Sequence, residues 1–344
     1  MRAAVIHAPK DLRIEEFATP EMGPNSVKLR VDVGGICGSD LHYYQHGGFG
    51  TVRIKQPMIL GHEVAGIVAE VGERVTAVKP GDRITVNPSR PCGQCTYCLE
   101  GHPNHCLDMR FYGSAMRFPH VQGAFCDELV IEERQAVPVG GATSSGEAAF
   151  AEPLAVALHA MRQAGPLLGR RVLVTGCGPI GCLTIIAARR AGALEVVATD
   201  ILDEPLAAAR TAGAERTINV ARTSGELERY WRDKGYFDVA IEASGNSAAL
   251  TGAMACVRPH GVIVQLGLGG EVTLPLNTLV AKEIELRGSF RFHEEFEWAA
   301  AMIDRKLIDV RPLLTASLPL ARAREAFELA GDRRKAMKVQ LSFE

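Results

Sequence analysis

Two groups of residues in this sequence carry the donor chemistry of metal ligands. Four cysteines stand in one short stretch, Cys92-Gly-Gln-Cys95-Thr-Tyr-Cys98 and then Cys106. Four thiolates at about 2.3 Å close a tetrahedral shell around Zn²⁺ and leave no position for substrate, so this metal is expected to be structural. Pro88, Pro91, Gly93, Gly101 and Pro103 make the stretch rich in turns, which suits a metal knuckle better than a strand or a helix. His102 and His105 lie close by and read as loop residues, because four thiolates already fill the shell. The second group is dispersed: Cys37 in Gly35-Ile-Cys37-Gly38-Ser39-Asp40-Leu41-His42, His62 and Glu63 in Leu60-Gly61-His62-Glu63, and Glu152 in Ala151-Glu152-Pro153. One thiolate, one imidazole and two carboxylates match a catalytic zinc, which takes about three protein ligands and keeps a position open. Taken singly, each segment reads as an ordinary buried cysteine or loop histidine.

A third feature gives those segments a context. Arg171-Val-Leu-Val-Thr175 reads as a short buried strand, followed by Gly176-Cys-Gly178-Pro179-Ile180-Gly181 and an apolar helix from Cys182 to Ala191. The glycines allow a tight turn, close approach of backbone to a pyrophosphate and close packing of helix on strand. Pro179 fits the first helical turn, where its missing N–H costs nothing, and the helix N-terminus receives the phosphates. A second strand, Glu195–Thr199, ends at Asp200, placed to accept hydrogen bonds from the adenosine ribose. Glu242-Ala-Ser244-Gly245 and Leu266-Gly267 end later strands on the same face and are expected to line the cofactor with their backbone. Asp203 and Glu204 follow Asp200, no arginine comes immediately after it, and Arg210 is a helical turn or more away. A 2′-phosphate would meet that negative cluster, so NAD is expected to be preferred over NADP.

Cys37 with Ser39 and His42, Gly61-His62-Glu63, the four-cysteine knuckle and the dinucleotide fold together resemble the zinc-dependent medium-chain dehydrogenase/reductase family. The resemblance covers essentially the whole chain. Glu152 in Ala-Glu-Pro-Leu-Ala resembles the polyol (sorbitol) dehydrogenase branch. Within that branch, Cys37–Tyr44, Met109–His120 and Leu286–Phe292 resemble a subgroup acting on sugar acids. The resemblance implies two zinc ions per subunit, NAD, and hydride transfer from a secondary alcohol to the nicotinamide. Glu63 resembles the third ligand of the catalytic zinc beside Cys37 and His62. Three roles stay open for Glu152: direct ligation, exchange with Glu63, or holding the metal-bound water. Ser39 would accept the hydroxyl proton and His42 pass it outward; the alternative for both is turn capping and surface polarity. Tyr43 and Arg291 resemble substrate contacts of the polyol relatives, against the alternatives of an amphipathic filler and a solvated charge. A sugar acid also needs a cation for its carboxylate, for which Arg110, Arg117 and Arg291 are candidates. A homo-oligomer, dimer or tetramer, is implied as well.

The elements that must position these groups fall into two patterns. Residues 1–150 read as short strands and turns (Ala3–His7, Ser26–Val33, Val64–Val71, Arg83–Asn87), a partly open antiparallel barrel that the resemblance makes a GroES-like catalytic domain. A helical stretch from Gly146 to Ala164 carries Glu152. Residues 151–290 alternate strand and helix, with strands at Val172–Thr175, Val196–Thr199, Thr217–Val220, Phe237–Glu242 and Val262–Gly267. That alternation predicts an α/β, doubly wound parallel sheet of the Rossmann kind. Residues 291–344 hold two amphipathic stretches, Glu294–Lys306 and Leu320–Ala330, and a last strand Lys338–Phe343; by resemblance they return to the catalytic domain.

Composition narrows the class. The 344 residues carry a net charge of −2, which gives no general case for nucleic acid or an anionic membrane. Arg90, Arg110 and Arg117 near the knuckle are interleaved with Glu100 and Asp108, which argues against a zinc ribbon that binds nucleic acid. A zinc-independent quinone or enone reductase would have no use for Cys37, His62, Glu63 and the knuckle together. The N-terminal segment lacks the apolar run of a signal peptide, no stretch reaches membrane-spanning length, and a cytoplasmic location is expected. Cys126, Cys177, Cys182 and Cys256 read as small core or turn residues.

Overall fold

A computed structural model describes residues 1–223 and 225–343. Contacts divide the chain into two compact units, one of Met1–Glu152, Phe296–Asp332 and Lys338–Glu344, the other of Pro153–Glu295 and Arg333–Met337.

In the first unit the longest strands are Ser26–Gly35 and Glu63–Val71, which pair antiparallel. Val27, Leu29 and Val31 are fully buried while Lys28 and Arg30 point away, the two-residue alternation of a sheet with one packed face. Arg83–Val86 and Ala136–Pro138 extend this sheet beyond Glu63–Val71, and Glu128–Glu132 pairs with the first half of Ser26–Gly35. Lys338–Ser342 pairs with the second half, placing Gln340 opposite Gly35. Leu314–Pro319 then joins Lys338–Ser342 in parallel, the one departure from the antiparallel pattern expected here. Arg2–Ala8 forms a separate sheet with Asp11–Glu16 and Met58–Ile59. The expected helix over 146–164 is two helices, Ser145–Ala148 and Ala151–Ala164. No helix among the described residues is long and apolar enough to cross a membrane.

In the second unit six strands pair in parallel in the order Arg216–Asn219, Glu195–Asp200, Arg171–Thr175, Phe237–Glu242, Val257–Gln265, Glu285–Gly288. This is the 3-2-1-4-5-6 order of a doubly wound sheet, whose first strand lies beside the switch point where dinucleotides bind. Val172, Leu173 and Val174 are fully buried, because helices cover both faces of such a sheet. Five of the strands are those expected from the sequence. The sixth, Glu285-Leu-Arg-Gly288, is an edge strand with three of its four residues exposed, and so has no apolar signature.

Candidate metal centres and nucleotide pocket

The knuckle has little regular structure of its own. It is a four-residue helix, Thr96–Leu99, and one 3₁₀ turn, closed at its base by the short pairing of Ser89–Arg90 with Arg110–Phe111. One Sγ from each of Cys92, Cys95, Cys98 and Cys106 lies within 4.8 Å of the others, with 3.6 Å between Cys95 and Cys98. Ligands at about 2.3 Å in tetrahedral array stand about 3.8 Å apart, so four thiols converging this closely fit a zinc ion. Backbone N–H groups already serve the sulfurs: Cys92 and Asp108 donate to Cys106 Sγ at 3.1 and 3.3 Å. Backbone donors from Leu107 and then Cys98 pull the Cys95 thiol down to about 6, while burial pushes Cys98 up to about 12. All nine cysteines are free thiols.

The second centre forms where two loops meet. Cys37 is the N-cap of the helix Gly38–His46. His62 and Glu63 follow Gly61, whose φ of +93° and contact with Phe125 exclude a side chain, since an added Cβ would come within 2.1 Å of that ring. Asp40 joins the two loops. Its carboxylate is fully buried, with Oδ2 accepting from Cys37 N at 3.0 Å and Oδ1 from Gly61 N at 3.1 Å. Cys37 Sγ, a ring nitrogen of His62 and a carboxylate oxygen of Glu63 lie within 4.8 Å of one another. Burial, followed by the charge of Glu63, pushes the Cys37 thiol up to about 12. His62 Nδ1 is buried without a hydrogen-bond partner. A thiolate is held in such a place only with a cation beside it, and this donor set fits zinc.

Two further charged groups face this centre. Lys338 is buried, donates to Glu63 Oε1 at 2.6 Å and to Ile36 O at 3.1 Å, and comes from the last strand, 275 residues beyond its partner. Burial raises the Glu63 carboxyl against the pull of Lys338 and His62. Glu152 is buried at the start of its helix and stands outside the three-donor set, within electrostatic reach of it. Burial first, opposed by His62 and reinforced by Glu63 and Cys37, pushes its carboxyl up to about 8.

Ser39 and His42 are the second and fifth residues of the helix that Cys37 caps, with His42 exposed and its ring 5.9 Å from Phe49. Tyr43 on the same helix is almost fully buried, and its hydroxyl accepts from Ala115 N at 3.0 Å. Arg117 donates to Asp108 O at 3.1 Å and pairs with the Asp108 carboxylate, so it is already committed within its loop. Arg110 is exposed in the short strand at the base of the knuckle. Arg291 belongs to the other unit, has a φ of +55°, and lies 5.0 Å over the Phe290 ring.

In the second unit a cavity of 510 Å³ opens beside the ends of the first two strands, lined among others by Gly176, Asp200, Ile201, Ser244 and Arg333. Gly178 caps the helix Pro179–Arg190, and Gly176, at φ +86°, passes so close to Ser244 that a Cβ would meet it at 2.8 Å. An open cradle before a helix N-terminus fits a pyrophosphate. Ser244, Gly245 and Leu266–Gly267 are drawn together by the buried Glu242: it accepts from Ser244 N at 2.8 Å and Gly245 N at 2.9 Å, and its backbone oxygen accepts from Leu266 N and Gly267 N. Asp200 is reached by an arginine the sequence argument overlooked, Arg333, which donates to Oδ2 at 2.6 Å. The absence of an arginine holds only for the residues next to Asp200 in sequence. Asp40, Lys338, Glu242 and Arg333 had no motif to announce them. The one usable signal was Asp40 three residues after a helix-capping Cys37, the spacing of a capping box.

Residues 23–141 match the model of the alcohol dehydrogenase GroES-like domain and residues 179–305 that of the zinc-binding dehydrogenases. Over 343 residues the chain is 43% identical to L-idonate 5-dehydrogenase (NAD(P)(+)) of Escherichia coli, covering 99% of this chain and 98% of that one. The crystal structure of L-idonate 5-dehydrogenase from Escherichia coli superposes with a TM-score of 0.96 at 42% identity, over 99% of this chain and 98% of that one. Human sorbitol dehydrogenase is 37% identical over 336 residues, 94% of this chain and 91% of that one.

Proposed function

The chain belongs to the zinc-dependent medium-chain alcohol/polyol dehydrogenase family, and from that premise we propose that it oxidises the C5 hydroxyl of L-idonate to 5-keto-D-gluconate, and runs the reverse reduction, with NAD as hydride acceptor. The observation that carries the reading is the convergence of Cys37, His62 and Glu63 donors within 4.8 Å in a chain 43% identical, end to end, to an L-idonate 5-dehydrogenase. When bound, zinc lowers the pKa of the substrate hydroxyl and the nicotinamide takes up the hydride, chemistry the side chains cannot supply.

What the chain supplies is position and proton transfer. Cys37, His62 and Glu63 hold the catalytic metal, with Asp40 fixing the backbone at both loops. Glu152 stands within electrostatic reach of that set, suited to the water beside it or to exchange with Glu63. Cys92, Cys95, Cys98 and Cys106 hold a structural zinc. Ser39 Oγ takes the hydroxyl proton and the His42 ring passes it outward. Gly176–Gly181 would hold the pyrophosphate of the cofactor, Asp200 would accept from its adenosine ribose, and Ser244, Gly245, Leu266 and Gly267 would line it with their backbone. Residues 1–150 carry the metal centres and 151–290 the cofactor, while of 291–344 the stretches Phe296–Asp332 and Lys338–Glu344 return to the first unit and Arg333–Met337 stay with the second. Tyr43 shapes the substrate end through its hold on Ala115. A guanidinium pairs with the substrate carboxylate, from Arg117 on leaving Asp108 or from Arg291. The enzyme is a cytoplasmic homo-oligomer; nine free thiols support the first point, and the exposed edge strand Glu285–Gly288 supports the second.

A polyol dehydrogenase is the competing reading, supported by the 37% identity to human sorbitol dehydrogenase. The two differ in the need for a cation facing the substrate. Loss of a charge-assisted bond of about 1.5–3 kcal/mol lowers kcat/KM on the order of tenfold or more. L-idonate assayed beside L-iditol, sorbitol and xylitol should turn over best, and Arg117→Ala or Arg291→Ala should erase that advantage. Equal turnover of acid and polyols, with neither arginine altering the ratio, makes the protein a polyol dehydrogenase.

A further inference from the structure

Asp200 already has all its acceptor positions in use. Oδ1 accepts from Ile201 N at 2.7 Å and Leu202 N at 3.1 Å, and Oδ2 from Cys177 N at 2.8 Å and Arg333 Nη2 at 2.6 Å. A carboxylate offers about four lone-pair sites, so a ribose hydroxyl bonds to this one only by displacing a donor. Three of the four donors are backbone N–H groups fixed by the strand end and the glycine turn. The fourth is the end of a long side chain that is 45% exposed, against 2% for Asp200 itself. Arg333 is the donor that can leave. It is also the one basic residue among those lining the cavity. Other nearby cations are committed elsewhere: Arg210 donates to Thr217 Oγ1 at 2.7 Å, and Arg222 pairs with Asp203 at 2.5 Å.

We infer that Arg333 sets the cofactor range of this enzyme, giving way to the ribose hydroxyls of NAD at Asp200 and turning its guanidinium onto the 2′-phosphate of NADP, so that both dinucleotides bind. A 2′-phosphate against a bare buried carboxylate is a like-charge contact. With Arg333 between them, one planar cation with five donors serves both anions. The same side chain competes with NAD for Oδ2, so it weakens the cofactor that Asp200 alone would favour. This deepens the reading of the cavity as the adenosine seat and rests on it.

The test is calorimetric titration of the zinc-loaded enzyme, without substrate, with NAD and with NADP. Wild type should bind both. Arg333→Ala should weaken NADP tenfold or more while NAD binds as well as before or more tightly. Arg333→Lys, which keeps the charge and loses the fork, should fall between, and should show that the site is still folded. Arg334→Ala removes the same charge from the neighbouring position and should leave the NADP/NAD ratio within about twofold, because Arg334 does not line the cavity. An unchanged ratio in Arg333→Ala, equal losses for both dinucleotides, or the same change in Arg334→Ala would each overturn the inference. If Asp200→Ala leaves NAD binding untouched, the cavity is not the adenosine seat, and both readings fall together.

Discussion

Asp40 is neither ligand nor proton carrier in this reading, yet each of its oxygens holds one of the two loops that bear the Cys37 and His62 donors. Removing it by Asp40→Ala leaves the buried Gly61 N–H without this acceptor, at about 1–3 kcal/mol, and the part-buried Cys37 N–H without its own at a smaller cost. It also frees the two loops to drift, and losses of this kind lower metal affinity about 10–100-fold. Zinc content after a graded chelator challenge should show one of the two ions lost early, the other at the wild-type concentration. Asp40→Asn, which keeps one acceptor, should lose less. If Asp40→Ala holds both ions as wild type does, the carboxylate does not position the centre. At this scale the donors were legible because thiols, imidazoles and carboxylates announce their chemistry by type and spacing. Their supports were not: Lys338 meets Glu63 only because the final strand pairs beside Gly35, a fact of register rather than of motif.

Among the elements, the knuckle and the helix Glu295–Asp304 rest on opposite kinds of support. The knuckle has one short helix with no buried residue, so with zinc at its four thiols its order would come from metal binding coupled to folding. Cys95→Ser should therefore reduce the metal to about one equivalent per chain and expose residues 92–108 to limited proteolysis, while the parallel sheet stays resistant. The helix is fixed by charge at its N-terminus. Glu295 is fully buried and accepts from His159 Nδ1 at 3.0 Å, Arg162 Nη1 at 2.8 Å and His293 N at 2.7 Å. Burial works to raise this carboxyl, but the His159 and His293 bonds outweigh it and hold it at about 2. A depressed carboxylate stabilises fully above its unfolded value of about 4.3 and loses that contribution as pH falls towards 2. The gap is worth about 3 kcal/mol. Glu295→Gln should lower the urea midpoint at pH 7, and the difference from wild type should narrow steadily below pH 4.5. A difference constant from pH 7 to 3 would mean that packing, not ionisation, is the contribution. The strands of the parallel sheet were visible in sequence wherever burial on both faces left a β-branched run, as in Arg171–Thr175. The helix over 146–164 was visible as a single periodic stretch, and its break near Phe150 was not, because the apolar spacing runs on through it.

At the scale of the whole molecule, the sixth strand leaves an edge that needs an explanation. Glu285–Gly288 ends the parallel sheet, and among the described residues no strand lies on its outer side. Leu276 and Val280 on the preceding helix are 63% and 70% exposed, and Leu286 on the strand itself is 39% exposed. A bare edge with apolar residues around it invites aggregation unless something covers it. Lys282, the cation of that helix, does not guard the edge, because its ammonium is spent on the carbonyls of Met254, Ala255 and Val257. A second copy related by a two-fold axis would satisfy the edge with the same surface, strand against strand in antiparallel sense, and would close the assembly. Light scattering should therefore give a mass of two chains or a multiple of two. Val280→Asp and Leu286→Asp each place a charge in that contact, and should shift the mass towards the monomer with the far-ultraviolet spectrum unchanged. If both variants keep the wild-type mass, the edge is solvent-facing in the assembly, and the oligomer, if one forms, is built on another surface.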